Sequence, residues 1–127
     1  MKIQDMAIVK SLVSVAWADG EFHDKEREMV DALIAAFEAN KAEAEFIREY
    51  AAEKKTLDDV PVEDLGEGDR RVLLQHAVLL TYIDTEQHQD EKQFIEALCQ
   101  KLSISETDAL ELTSAAEKRA KRFLNLL

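Results

Sequence analysis

Punctuation and basic charge are both scarce in this sequence. One proline and three glycines are spread through 127 residues. So few breakers leave little room for the many tight turns of an all-β chain. A single cysteine, Cys99, excludes an intramolecular disulfide and fits a reducing compartment. No stretch approaches 18 uncharged apolar residues, so no transmembrane helix is expected. The opening MKIQDMAIVK is interrupted early by acids and lysine and lacks the apolar core of a signal peptide. Lys and Arg number 16 against 27 Asp and Glu, a formal charge of −11. That balance repels nucleic-acid backbones and anionic membrane surfaces, and it favours divalent cations or basic protein surfaces. A cytoplasmic protein is the expectation.

What is abundant is apolar residues at i, i+3 and i+4, which predicts an all-α domain spanning 1–127. A first helix is predicted from about Lys2 to Trp17, burying Ile3, Met6, Val9, Val13, Ala16 and Trp17, and ended by Asp19-Gly20. A second starts near His23 or Asp24 and carries Met29, Val30, Leu33, Ile34 and Phe37 on one face. Asn40 breaks the chain before a shorter third helix with Ala42, Phe46, Ile47 and Tyr50 inward. Residues 56–69 form the main connector, with Pro61 suited to the first turn of a short helix. A fourth helix from about Asp69 to Ile83 is read as central, and a fifth runs from His88 to Leu102. Ser105-Glu106 caps a long last helix to the C-terminus. Its basic residues Lys118, Arg119, Lys121 and Arg122 complement the negative end of the helix dipole. They also offer a second reading, a docking patch for an acidic partner.

The most informative feature is a repeat. ADGEFHDKE at 18–26 returns as IDTEQHQDE at 83–91, sharing the pattern D-x-E-x-H-x-x-E. Over residues 17–37 and 82–102, six of 21 positions are identical, where chance gives roughly one. The unit is a helix–loop–helix used twice, with halves at approximately 1–55 and 66–127.

Asp19, Glu21, His23 and Glu26, and their counterparts Asp84, Glu86, His88 and Glu91, are the candidate metal ligands. Carboxylates with an imidazole suit Zn²⁺, Mn²⁺ or Fe²⁺, and the oxygen-only subset Asp19, Glu21 and Glu26 suits Ca²⁺. EF-hand spacing fails, because position 6 from Asp19 is Asp24 and position 12 is Val30. Helix capping accounts for much of the same pattern. H-x-x-E occupies the place of a capping box, with Glu26 or Glu91 reaching back to an amide. Capping is the leading reading and cation binding the second, so no cofactor is assigned.

Cys99 falls on the apolar stripe Phe94, Ile95, Leu98, Cys99, Leu102 and is read as a core residue. His76, within VLLQHAVLL, is read as a hydrogen-bonded structural histidine. No nucleophile elbow, phosphate-binding glycine loop or HExxH is present. A metal-dependent hydrolase using the His23 and His88 loops is the weaker alternative.

The ADGEFHDKE motif after an amphipathic helix, its second copy and the following LCQKLSIS together resemble the TerB family of tellurite-resistance proteins. They are also similar to the N-terminal domain of DjlA-type co-chaperones. The resemblance implies a compact all-α bundle of six to seven helices with an internal helix–loop–helix duplication. It also implies a role in bacterial tellurite and stress resistance, and, with no catalytic set in the sequence, a non-enzymatic accessory domain is the expectation. Cation binding at the acidic loops and partners at the inner membrane come with it. Thr85 stands where such loops usually carry glycine, so the two loops need not form the same turn. The other interaction surfaces left open are the acidic connector at 58–69 and the basic C-terminal helix.

Overall fold

A computed structural model of the chain describes residues 1–17, 20, 22–81 and 89–126, without side-chain detail at 25, 79–81, 89–92 and 120–126. All regular structure among these residues is helical: α1 (Ile3–Ala16), α2 (Asp24–Ala36), α3 (Lys41–Ala51), α4 (Glu67–Thr81), α5 (Gln89–Lys101) and α6 (Glu106–Leu126). Two 3₁₀ turns, Leu57–Asp59 and Val62–Asp64, lie in the connector. The chain divides into two units, Met1–Gly66 and Glu67–Leu127.

The first unit packs α1 against α2, α3 and both 3₁₀ turns. Its core holds Val9 and Val13 from α1, Val30 and Ile34 from α2, and Ala44, Ile47 and Ala51 from α3. Each set recurs at three- or four-residue spacing, the signature of one helical face. Helix α1 is buried almost all round, since Ile8, Leu12 and Val15 are inside as well. Ser11 tolerates this because its hydroxyl donates to the Ala7 carbonyl at 2.7 Å. Ser14 is equally buried, and its Oγ has no partner among the described residues.

Two expected inward faces are corrected. Ile3 is 72% exposed, because the first turn of α1 stands outside the core. In α3 the face turned inward is Ala44, Ile47 and Ala51, while Ala42 is exposed and Phe46 is 44% exposed. Small alanines let α3 approach its neighbours closely; Phe46 sits outward, and Tyr50 packs half-buried against the edge of the core. There Phe46 and Tyr50 stack at 6.1 Å, with Lys10 Nζ 5.2 Å from the Phe46 centroid. Pro61 precedes the second 3₁₀ turn rather than lying within a helix, and buried Val60 and Leu65 anchor the connector.

In the second unit α4 packs on α5 and α6. Leu73, Leu74, Ala77 and Val78 of α4 are completely buried, with Leu98 of α5. Arg70 Nη1 donates to the Leu102 carbonyl at 2.9 Å, satisfying one acceptor at the end of α5.

The duplication is larger than the sequence repeat. Gln89 minus Asp24 is 65, and the same offset relates the ends of α1 and α4, both ends of α2 and α5, and the starts of α3 and α6. It also relates the turns between the second and third helices of each unit. Glu38 and Ser103 both have positive φ, 53° and 57°. Ala39 N–H donates to the Ile34 carbonyl, and Ile104 N–H to that of Cys99. Each turn is a Schellman motif. Asn40 and Ser105 then cap the next helix: Glu43 N–H donates to Asn40 Oδ1 at 2.8 Å, and Asp108 N–H to Ser105 Oγ at 3.2 Å. The repeating unit is therefore three helices. Burial follows the offset as well: Val9 and Leu74, Val13 and Val78, Val30 and Ile95, Ile34 and Cys99, and Ala51 and Ala116 are all inside.

Candidate functional site

The first acidic loop begins where α1 ends. Trp17 closes the helix and fixes its own ring, donating from Nε1 to the Ala51 carbonyl at 3.0 Å and stacking on Phe22 at 5.0 Å. Gly20 has φ +80° and donates its N–H to the Trp17 carbonyl at 2.8 Å. The glycine is needed for its conformation rather than for space, because an added Cβ would meet only Lys54 Nζ, at 3.7 Å.

His23 is the N-cap of α2, and its backbone N–H donates to Glu26 Oε2 at 3.1 Å. Glu26 therefore serves the carboxylate half of a capping box. Of the eight candidate ligands, these two are the ones whose side-chain surroundings are described. His23 is exposed and Glu26 half-buried. Asp19, Glu21, Asp84, Glu86 and His88 lie outside the described residues, as does the side chain of Glu91. Among the described residues no three His, Cys, Asp or Glu side chains form a metal-holding group.

The remaining candidates resolve simply. His76 is exposed, with Nδ1 2.9 Å from the Val72 carbonyl one turn back. Cys99 is 8% exposed, and burial pushes its thiol above the ordinary value of 9.0. Lys118 and Arg119 are exposed on α6. No described helix is long and apolar enough to cross a membrane.

The sequence did not point to the grooves between the second and third helices of each unit. In the first unit a groove of about 400 Å³ runs between α2 and α3. Val30 and Ala51 line it, Trp17 and Phe22 wall one side, and Arg48 Nε pairs with Asp31 Oδ1 across it at 3.2 Å. In the second unit a groove of about 580 Å³ runs between α5 and α6. Its apolar lining includes Ile95, Cys99, Ile104, Ala109 and Leu110, and Glu96, Glu106 and Glu117 border it.

The 65-residue offset maps Val30, Asp31, Arg48 and Ala52 of the first groove onto Ile95, Glu96, Thr113 and Glu117 of the second. The acid is kept, the arginine becomes threonine, and an alanine becomes a further acid. None of the described residues lining the second groove is basic. Leu110 is 70% exposed, second only to Ile3 among the described large apolar side chains. The signals available in the sequence were those two exchanges, Arg48 to Thr113 and Ala52 to Glu117, visible only once the repeat is carried into the third helix. No family model matches this chain, and no curated protein or solved structure matches it.

Proposed function

We propose that this chain is a non-catalytic accessory domain of TerB type, acting in a bacterial tellurite or stress response by holding a basic protein partner on its acidic surface. The observation that carries this reading is the α5–α6 groove, where carboxylates border an apolar lining and no described residue supplies a cation. A formal charge of −11 adds long-range attraction for such a partner. The family resemblance supplies the biological setting, including a partner at the inner membrane. Disrupting the gene in its host should lower tellurite tolerance. Wild-type protein should restore growth, and a Glu96→Gln/Glu106→Gln/Glu117→Gln variant should not. Tolerance unchanged by the disruption removes the tellurite setting, and full rescue by the triple variant removes the acidic groove from the function.

A divalent cation, Ca²⁺, Mn²⁺ or Zn²⁺, at Asp19, Glu21 and Glu26 with Asp84, Glu86 and Glu91 is the alternative, resting on the repeated motif. A cation that binds the folded state must raise the melting temperature by mass action. Metal-stripped protein whose melt is indifferent to millimolar cation excludes it.

A further inference from the structure

We infer that the α5–α6 groove is the seat of a partner's amphipathic helix carrying arginine, and that Glu96 receives the guanidinium. This deepens the proposed function and rests on it. The first unit supplies the template. There, Arg48 on the third helix reaches Asp31 on the second at 3.2 Å and spans the groove. The second unit keeps the acid as Glu96 but has Thr113 in place of the arginine, so among the described residues lining its groove none supplies the cation that Arg48 supplies in the first.

Three features fit a helix rather than a lone cation. The groove measures about 580 Å³ and is longer in residues than its counterpart, running from Ile104 at its start to Glu117 on the fourth turn of α6. Its lining is apolar, with Leu110 70% exposed beside buried Ile95 and Cys99. Carboxylates at Glu96, Glu106 and Glu117 border that apolar strip, complementary to basic residues flanking an apolar stripe. A helix laid in a groove presents anchors at i, i+3 and i+4, and arginine pairs with carboxylate in a directed, two-pronged way that lysine lacks.

The offset also predicts how the site can be closed and copied. Thr113→Arg should place a guanidinium opposite Glu96, as Arg48 is placed opposite Asp31, and so occupy the groove from within. Arg48→Thr should remove the corresponding bridge in the first unit. Cys99 is the chain's one thiol and lies in the groove wall, which makes it a built-in reporter of occupancy.

The test uses the full chain and a fluorescein-labelled helical peptide with a leucine face edged by arginines, alongside versions with lysine or glutamate at those positions. Anisotropy should show one arginine peptide bound per chain, weaker binding of the lysine version and none of the glutamate version. Thr113→Arg, Glu96→Gln and Leu110→Ser should each weaken binding by about tenfold, the loss expected for one charge-assisted contact or one apolar anchor. Glu96 and Leu110 are exposed, so those two variants should keep the wild-type melting temperature, and binding is then read on folded protein. Bound peptide should slow the reaction of Cys99 with Ellman's reagent. Failure of the arginine peptide to bind overturns the inference. Binding that ignores Thr113→Arg and leaves Cys99 reactivity unchanged also overturns it, while leaving the acidic surface as a partner site elsewhere. A self-associated protein that Leu110→Ser converts to monomer would give the groove to a second copy and likewise overturn it. Loss of tellurite rescue in cells is a separate readout, which distinguishes failure of the proposed function from failure of this groove.

Discussion

Replacing Glu26 separates a helix cap from a metal ligand. In the structure Glu26 Oε2 accepts from the His23 backbone N–H at 3.1 Å, at the N-terminal end of α2. Two contributions follow. The hydrogen bond is worth about 0.5–1.5 kcal/mol, with the low end appropriate to a half-exposed site. The negative charge near the positive end of the helix dipole adds about 0.3–1 kcal/mol at low salt. Glu26→Ala loses both and should destabilise by about 1–2 kcal/mol. Glu26→Gln keeps an oxygen acceptor of the same reach and loses only the charge, so it should cost about 0.3–1 kcal/mol. Urea denaturation in excess chelator measures the difference, and repeating it in high salt should shrink the glutamine cost while leaving most of the alanine cost. A capping glutamate gives this ordering without any metal. Equal costs for Ala and Gln in chelator would refute the cap argument. Costs that appear only when cation is added would transfer Glu26 to the metal set.

The two Schellman turns give a matched pair of stabilising changes. Glu38→Gly and Ser103→Gly remove a side chain from a left-handed residue, a gain of about 1–2 kcal/mol offset by about 0.5–1 kcal/mol of added unfolded-state entropy. Each should raise the urea midpoint slightly, and a lowered midpoint at either would contradict the turn assignment. The Ser14 Oγ is buried without a partner among the described residues, so Ser14→Ala should be neutral or stabilising by about 1 kcal/mol. Ser11→Ala, which deletes a bonded hydroxyl, should not be stabilising, and urea melts of the two compare them directly. Burial raises the Cys99 thiol above its ordinary 9.0, so the folded state binds its proton more tightly than the unfolded state does. Its contribution to stability is fully present below the ordinary thiol range and is lost as pH rises through the folded value. Cys99→Ala should flatten that alkaline part of the stability profile, and an unchanged slope would count against it.

Helix boundaries were legible because the devices that set them are local. His23 with Glu26, Asn40 with Glu43, and Ser105 with Asp108 are three-residue patterns whose hydrogen bonds need no distant partner. The second helix's inward face was legible too, because Val30, Leu33 and Ile34 are large and regularly spaced. The third helix was legible only in part. Of Ala42, Phe46, Ile47 and Tyr50, Ile47 is inside and Tyr50 packs half-buried against the core, but Ala42 and Phe46 are exposed; Ala44 and Ala51 complete the interior, and alanine carries little hydrophobic signal. The site divides in the same way. The doubled D-x-E-x-H-x-x-E motif was plain in sequence, and so was the capping role its Glu26 takes, whereas the groove between the second and third helices was not.

By itself the sequence determined the helical class, most helix starts and the existence of an internal repeat, since periodicity and caps are short-range properties. Tertiary structure decided how far the repeat extends. Residues 41–51 and 106–116 share only two identities, Ala44/Ala109 and Ala51/Ala116, so their equivalence became visible through matching turns and burial. It also decided which groove is bridged by an ion pair among the described residues. That depends on a side chain on the third helix of each unit reaching an acid on the second, Arg48 to Asp31 across 17 residues, and a threonine at the equivalent place cannot make the span.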